Sequence, residues 1–271
     1  MKKHIDLEIL ISTMNRKDLF FLDKMFPKLD TSLYSLLIIN QTVLKEDLIS
    51  KNPKIRVVNS REFGLSKSRN LAIENAQGDV LLLADDDIEY LPGFEKTILK
   101  AYQDYPEASL ISFQFLNENK KIVKSYPKNE GYLKSTKKHL TSFEMTFRSN
   151  IFMEYNISFD ERFGIGSLFL CAEEQVLRYS ILRNGLKVVF VPQTICIHPG
   201  QTTGETISQE NMTKATTAYK YIQYNNLVYL WLFKYVFFLF RHKYVSFFGQ
   251  LKAYKIGMEA VKKLKRITNE N

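Results

Sequence analysis

The sequence predicts an α/β fold in which a Rossmann-like, mostly parallel central sheet is flanked by helices and followed by a C-terminal helical extension. Three observations support this: short apolar runs alternate with polar helical stretches, each run ends in polar residues, and the composition changes near residue 207. Continuous apolar runs are typical of strands buried on both faces of a parallel sheet. With 271 residues, the chain is long enough for one large domain and an appendage.

The first hundred residues predict a β-α-β-α-β pattern, hence a doubly wound sheet with right-handed crossovers. Helices are expected at about 17–29, 43–51 and 66–76, the third with Ser66 as its N-cap and Gly78 just beyond its end. Ligands bind beyond the carboxyl ends of the strands in such sheets. We therefore expect the functional site where the apolar runs end, after 9–11, 36–39, 55–58 and 80–83.

The later elements follow from local signals. Pro92 suits the first turn of a helix that runs to about Tyr105, and the stretch 109–150 is expected to form strands with polar loops. A helix over about 172–184 is expected to end at Gly185, before a strand over 186–191. We place a boundary between a first domain, 1–206, and a tail, 207–271.

The charge is concentrated in the tail. Residues 207–271 contain 11 Lys and Arg against 3 Asp and Glu, a net of +8 out of +9 for the chain. A basic tail on a near-neutral domain predicts an anionic partner, with membrane lipid favoured over nucleic acid. The two cysteines, Cys171 and Cys196, indicate a reduced compartment. Asp6 and Glu8 interrupt the apolar core that an export signal requires.

An acidic triplet, Asp85-Asp86-Asp87, follows the fourth apolar run. In extended chain, alternate side chains share a face, so Asp85 and Asp87 are expected to point into one site and Asp86 away from it. Converging carboxylates repel each other unless a cation lies between them, and Mg²⁺ or Mn²⁺ prefers such oxygen ligands. The triplet therefore predicts a divalent metal site; a polar strand end with an Asp cap is the alternative.

The context of the triplet resembles a known family. The run from Gly64 to Phe94, with its Arg69-Asn70 pair, apolar strand, Asp-x-Asp motif and Pro-Gly-Phe turn, is similar to the nucleotide-sugar-binding half of family 2 glycosyltransferases. The segment 159–166, followed by Glu173-Glu174, resembles the second half of their site. Members have the A-type glycosyltransferase fold, and the resemblance extends over about residues 5–200. It implies that 1–206 is the catalytic domain.

The resemblance also implies an activity: inverting transfer of a sugar from a nucleoside diphosphate to a hydroxyl of a saccharide acceptor, with Mn²⁺ or Mg²⁺ bound. The setting it implies is bacterial surface polysaccharide synthesis, with a lipid-linked acceptor. A UDP-sugar is favoured as the donor, although the chain departs from the usual pattern at Met14 and Asn40.

On the donor side, the resemblance assigns roles residue by residue. Thr13 and Asn40 would lie near the base and ribose, and Arg69 would neutralise the diphosphate or help hold the base. Asp85 would contact ribose or metal, and Asp87 would bind the metal.

On the acceptor side, the second acid of the pair in the family is the general base, which here is Glu174. Adjacent helical side chains point about 100° apart, so Glu173 is the alternative rather than a partner in the same role. His198 is expected to be a further metal ligand or a diphosphate contact, and the loop from 198 to 204 to close over the nucleotide.

Aromatic residues are concentrated in the tail, where 13 of the 36 in the chain lie between Tyr219 and Phe248. The longest apolar stretch, Leu227 to Phe240, has 14 residues, fewer than the roughly 20 that span a bilayer. Mixed aromatic and basic residues favour an anchor at the cytoplasmic face of the cell membrane. Helices packed on the catalytic domain or in an oligomer interface are the alternative.

Two other functions are compatible with parts of this pattern. A sugar nucleotidyltransferase is also an α/β protein with metal carboxylates, but it typically has a Gly-rich loop near the N-terminus, and 12–16 contains no glycine. A non-catalytic basic protein that binds membrane or nucleic acid is the second alternative. No nucleic-acid-binding motif accompanies the basic tail, so nucleic acid is not expected as a partner.

Overall fold

A computed structural model describes residues 5–27, 29–133, 140–200 and 207–269. In these residues nine strands form one mixed sheet in the order β3-β2-β1-β4-β8-β6-β9-β5, with β7 paired to β9. The strands are β1 Leu7–Met14, β2 Ser35–Gln41, β3 Ile55–Ser60, β4 Val80–Asp85, β5 Glu89–Tyr90, β6 Ala108–Asn117, β7 Gly131–Tyr132, β8 Met145–Arg148 and β9 Lys187–His198.

Helices cover the sheet and form the tail. They are α1 Phe21–Met25, α2 Leu65–Asn75, α3 Phe94–Asp104, α4 Asn150–Glu154, α5 Glu173–Arg183, α6 Gln209–Tyr224, α7 Val228–Arg241 and α8 Gly249–Asn269. Short 3₁₀ turns lie at Thr31–Leu33, Ser142–Glu144 and Asn225–Leu227. The helices predicted after Ser66, after Pro92 and before Gly185 are confirmed as α2, α3 and α5.

The predicted helix at 43–51 is wrong, because that segment is irregular. The amide of Asn59 accepts from the backbone nitrogen of Leu48 at 3.0 Å and donates to its carbonyl at 2.9 Å. Those two backbone groups are the ones a helix would use, and this pairing lets the Leu48 side chain enter the core. The expected helix at 17–29 shortens to α1, which Pro27 follows two residues after its end.

Ser66 is not the N-cap of α2. Gly64 holds that position, with a φ of 128°, and the Ser66 hydroxyl donates to the carbonyl of Phe163 at 2.6 Å. The hydroxyl is therefore used to join α2 to a distant loop. This long-range contact could not be predicted from the local capping pattern.

The first four strands are parallel to one another. The apolar runs of β1, β2 and β4 are buried on both faces, as predicted, whereas in β3 only Ile55 is buried and the rest of the run is partly exposed. Their carboxyl ends meet at one edge of the sheet, where Thr13 pairs with Asn40 and Ser12 with Asp85. Strand β9 is longer than predicted and reaches His198. Because β5 pairs with the end of β9, it brings the turn after β4 close to His198.

The tail packs on the first domain. Ala215, Ala218 and Tyr219 of α6, with Ala260 and Leu264 of α8, form one buried cluster with Phe163, Phe169, Ala172 and Val176. The alternative of helices packed on the catalytic domain therefore holds for α6 and α8. Within the described ranges, none of the helices combines the length and hydropathy needed to cross a bilayer.

Candidate active site

The centre of the candidate site is the buried guanidinium of Arg69, which is 2% exposed. It donates to Glu173 Oε1 at 3.1 Å, to Asp85 Oδ1 at 3.4 Å and to Ser142 Oγ at 2.6 Å. Glu174 Oε1 lies 3.8 Å from the same guanidinium. One cation from α2 thus holds the acid of β4 and the acid pair of α5 together. Arg69 therefore joins the two sequence segments that carry the family resemblance, 64–94 and 159–174.

This geometry differs from the role expected of Arg69. A side chain this deeply buried and paired with carboxylates does not present its charge to a diphosphate. Three acids converge here, and because an unpaired carboxylate in a buried site costs several kcal/mol, a cation among them stabilises their ionised forms. Arg69 acts on the site by neutralising and orienting these acids.

The acid pair begins α5 as predicted, but its two members differ in their surroundings. Glu173 is bound by Arg69 through one oxygen, while its Oε2 is buried without a hydrogen-bond partner. Burial, followed by the charge of Glu174, raises the pKa of Glu173 to about 7. Among the described residues, the Glu174 carboxylate accepts no hydrogen bond from another side chain, and burial raises its pKa as well. The Glu174 carboxylate is therefore held less tightly than that of Glu173, by the longer ion pair to Arg69 and by its own backbone N–H.

The backbone before the pair is strained. Ala172 has a φ of 81°, in the left-handed region that a residue with a Cβ rarely adopts. Its side chain is held in the cluster with the tail helices. Strain of this kind persists where surrounding packing imposes it, and it is found preferentially at functional sites.

The acidic triplet departs from its prediction at Asp86. Strand β4 ends at Asp85, and the next two residues form a turn, so the alternation expected of extended chain stops there. Asp86 accepts hydrogen bonds from the Thr13 hydroxyl and from Arg16 Nη2, the latter at 2.6 Å. It therefore faces the end of β1, at the same edge of the sheet as the other two acids, rather than pointing away.

The predicted metal set of Asp85, Asp87 and His198 is not assembled as three ligands. Asp85 is taken by Arg69, and in the part of the chain that the structure describes no three His, Cys, Asp or Glu side chains are placed to hold a metal. Asp87 and His198 do meet: Asp87 Oδ2 lies 3.8 Å from His198 Nε2. The His198 ring is buried and stacked on Phe143, with 4.9 Å between ring centroids.

A carboxylate and an imidazole at this distance fit a divalent ion that takes its remaining ligands from phosphate and water. Mg²⁺ usually binds through one or two carboxylates and substrate phosphates, so a two-residue protein contribution is enough. Asp87 is half exposed, which leaves its oxygens open to the cleft. The residues present thus suit a metal that arrives with a phosphorylated ligand.

Thr13 and Asn40, at the ends of β1 and β2, are both buried, and they have different hydrogen-bond partners. Thr13 binds Asp86 and Arg16. Asn40 is fully buried, with its amide bonded to both backbone groups of Arg16 at 3.0 and 3.1 Å and to Asn59 at 3.0 Å. Asn40 fixes the backbone of the segment after β1, and both polar atoms of its amide already have partners. It would therefore affect a bound base or ribose only indirectly, by positioning Arg16.

Sequence reasoning missed the 3₁₀ turn Ser142–Glu144, which makes two contacts to the site and is held in place by its third residue. Ser142 binds Arg69, Phe143 stacks on His198, and Glu144 is buried with Lys124, Tyr126 and Thr141 around its carboxylate. Burial lowers the pKa of Lys124. The available signal was the spacing of Thr141 and Glu144, which form a capping box around this turn.

The loop before α5 packs directly on the start of α2. Leu65 donates its backbone N–H to the carbonyl of Ile165 at 2.9 Å. A Cβ added at Gly166, where φ is 79°, would lie 3.2 Å from the Cα of Gly64. Glycine at both positions therefore allows the two backbones to approach. The predicted closing loop begins at His198, but residues 201–206 lie outside the described part of the chain.

Comparisons with known proteins agree with this architecture. The family described as Glycosyl transferase family 2 matches residues 41–164. The crystal structure of S. aureus TarS 1-349 in complex with UDP superposes with a TM-score of 0.59 at 15% identity, over 95% of this chain and 81% of that one. Its complex with UDP-GlcNAc gives 0.58 at 14% identity, over 79% and 65%.

The similarity to other TarS structures covers less of their length. The chain spans 64% of a further TarS 1-349 structure, at 13% identity and a TM-score of 0.55, and 39% of a longer TarS structure. No curated protein sequence matches the chain significantly. At these identities, the structural likeness establishes the fold.

Proposed function

We propose that this chain, which has the A-type fold and matches family 2 glycosyltransferases over residues 41–164, transfers a sugar from a UDP-sugar to an acceptor hydroxyl with inversion and that Glu174 is the base. The observation that carries the proposal is the pair of acids beside Arg69. Glu173 accepts a hydrogen bond from the guanidinium, whereas Glu174 lies 3.8 Å from it and accepts no hydrogen bond from another side chain of the described residues. The TarS structures that resemble this chain bind UDP and UDP-GlcNAc, which supports a uridine nucleotide as the donor.

The proposed reaction is a single displacement. The acceptor oxygen forms a bond to the anomeric carbon as the bond from that carbon to the diphosphate oxygen breaks, and Glu174 takes the hydroxyl proton. Burial raises the pKa of Glu174, which makes its carboxylate a stronger base than an exposed one. Arg69 orients the two acids, and Glu173 remains hydrogen-bonded to Arg69 and takes no proton from the acceptor.

The donor would bind at the carboxyl ends of β1, β2 and β4. Asp87 and His198 would hold a divalent metal there together with the diphosphate. Thr13 and Arg16, both hydrogen-bonded to Asp86, would lie beside the nucleoside. When bound, such a metal offsets the negative charge that develops on the departing diphosphate. Mn²⁺ and Mg²⁺ both suit these ligands.

The acceptor and location belong to the same proposal. We take the acceptor to be a lipid-linked saccharide of bacterial surface polysaccharide synthesis, reached at the cytoplasmic face of the cell membrane. The segregation of basic and aromatic residues into the tail supports this. The match of the chain to an enzyme family favours transfer over a non-catalytic binding protein and over a sugar nucleotidyltransferase.

Glu174→Gln tests the base. It keeps the shape of the side chain and removes its basicity, so sugar transfer should fall by roughly 10²- to 10⁴-fold while donor affinity is retained. Transfer from UDP-GlcNAc and other UDP-sugars to a membrane lipid extract gives the rate, and calorimetry gives the affinity. Glu173→Gln is the matched control and should keep most of the rate, because an amide oxygen still accepts from Arg69. Normal transfer by Glu174→Gln would place the base elsewhere.

Asp87→Ala tests the metal. Nucleotide binding that requires Mn²⁺ in the wild type should be lost in this variant. Its unfolding midpoint should stay the same, because Asp87 is half exposed and its one ion pair among the described residues is the long contact of 3.8 Å to His198. Calorimetric titration of UDP with and without Mn²⁺ gives the answer. Undiminished UDP affinity in EDTA contradicts the metal assignment.

A further inference from the structure

Helix α7 is apolar on both of its faces. Val228, Leu232, Val236 and Leu239 are buried on one face, where α7 packs on α8. Leu230, Phe233 and Phe237 lie on the other face at helical spacing and are exposed by 68%, 71% and 57%. A helix of a water-soluble protein normally turns a polar face outward, so the open face of α7 requires an apolar partner.

The exposed apolar surface continues around the turn between α7 and α8. Phe247 and Phe248 at the tip are 66% and 88% exposed. The Phe247 ring contacts both Phe240 and Phe248, with centroids 5.9 and 5.5 Å apart. We call this continuous surface the aromatic face and define it as Leu230, Phe233, Phe237, Phe238, Phe247 and Phe248.

The charges around the aromatic face have one sign. Residues 226–258 contain five Lys and Arg and no Asp or Glu. All five, Lys234, Arg241, Lys243, Lys252 and Lys255, have exposed side chains. Among the described residues, one acid lies within 4.0 Å of any of these five: Glu210, at 4.0 Å from Lys252, and it is itself paired with Lys214. The surface is therefore apolar with a cationic border.

An anionic bilayer is the occupant that this combination fits. Aromatic rings lie favourably at the level of the headgroups, and lysine and arginine extend their stems along apolar surface while their charges reach the phosphates. At 14 residues, α7 has the length of a helix that lies in the interface rather than across the bilayer. Two copies joined through this face would instead bring two cationic borders together, with no acid in the segment to neutralise them.

We propose that the aromatic face inserts into the headgroup region of an anionic bilayer, held there by the five surrounding cations. The inference rests on the proposed membrane location but on neither the proposed donor nor the proposed base. The C-terminal half of α8 joins, through Ala260 and Leu264, the buried cluster that contains Ala172 and Val176, next to the acid pair. Docking of this face therefore fixes the orientation of the acceptor side of the site relative to the membrane.

The test uses the full-length chain and vesicles of phosphatidylcholine, with or without phosphatidylglycerol. The wild type should co-sediment with the vesicles that contain phosphatidylglycerol, and added salt should weaken the binding. The double variant Phe237→Glu/Phe248→Glu should bind at least tenfold more weakly. Its matched control is Ile49→Glu/Met153→Glu, which places the same charges at positions exposed by 73% and 90% outside the tail and should bind like the wild type. Removal of each bordering cation, as in Lys243→Gln, should weaken binding about fivefold at low salt.

Two results would overturn the inference. One is equal vesicle binding by the wild type and Phe237→Glu/Phe248→Glu. The other is a wild type that does not bind vesicles but sediments as a dimer, while the double variant sediments as a monomer, since the face would then join two copies. Thermal melting and UDP calorimetry of each variant confirm that it is folded. A chain that binds vesicles as expected but transfers no sugar would refute the proposed function and leave this inference standing.

Discussion

At the scale of single residues, the site depends on one buried ionic cluster. Arg69 lies among Asp85, Glu173 and Glu174, three acids from two distant parts of the sequence. A buried charge network contributes less to stability than its contacts suggest, because each ion has lost its hydration. Removing one member is nevertheless costly, because the others are left uncompensated. The cluster therefore makes both catalysis and folding sensitive to the same side chains.

Arg69→Met measures this dependence. Loss of the guanidinium leaves Asp85 and Glu173 without their cation, and we expect the free energy of unfolding to fall by roughly 3–5 kcal/mol. Urea unfolding followed by circular dichroism gives the value. Arg69→Lys, which keeps the charge but cannot donate in several directions at once, should lose less. Equal stability of Arg69→Met and the wild type would show that the acids are already protonated.

The raised pKa of Glu173 predicts a pH dependence of stability. The folded chain holds a proton on this carboxyl up to a pH of about 7, whereas the unfolded chain releases it near the ordinary value of 4.5. The folded state therefore binds more protons in this window, and stability should decrease as the pH rises from about 4.5 to about 7. Urea midpoints measured across the window should show a smaller decrease in Glu173→Gln. A decrease of the same size in the variant would assign it to another group.

At the scale of elements, the site is made by a close approach between the start of α2 and the loop before α5. Gly64 and Gly166 lie in backbone contact, and the Ser66 hydroxyl binds the carbonyl of Phe163. The 3₁₀ turn Ser142–Glu144 closes the arrangement from a third direction. Each element is local in sequence, but its catalytic value comes from these contacts between elements.

Gly166→Ala tests the approach. An alanine here pays the cost of a left-handed backbone, about 1–2 kcal/mol, and its Cβ would also press on the Gly64 backbone at 3.2 Å. Gly185→Ala is the matched control, because φ is 74° there but the added Cβ meets nothing within 4 Å. We expect Gly166→Ala to lose more stability than the control and to lose transfer activity, which the control keeps. Identical melting temperatures for the two variants would mean that the loop adjusts without cost.

At the scale of the whole molecule, the tail has two sides with different partners. Helices α6 and α8 complete a core with Phe163, Phe169 and Val176, while the aromatic face points outward. The boundary at 207 remains a prediction, but residues on both sides of it share one buried cluster. The membrane and packing alternatives, opposed in the sequence analysis, are therefore compatible in the folded chain.

A chain that ends at residue 206 measures the contribution of this shared core. It would expose Phe163, Phe169, Ala172 and Val176, which are all buried in the full chain. We expect a lower melting temperature and increased binding of a hydrophobic dye, because the lost apolar contacts are not replaced. Calorimetry and dye fluorescence make the comparison. A truncated chain that melts at the same temperature would show that the tail is an independent unit.

The sequence by itself determined the fold class, the positions of the first four strands, helices α2, α3 and α5, and the resemblance to family 2 glycosyltransferases. These depend on apolar periodicity, helix ends and motifs, which act over short distances along the chain. Only the tertiary structure decided what the candidate site residues contact. Arg69 is buried among acids, and Asp86 faces the end of β1. The Asn40 amide is hydrogen-bonded to the backbone of Arg16, and Asn59 binds the backbone of Leu48 and so keeps 43–51 from forming a helix. In each case the deciding contact joins residues far apart in sequence, and the cost of leaving a buried charge or amide unpaired outweighs the local preference.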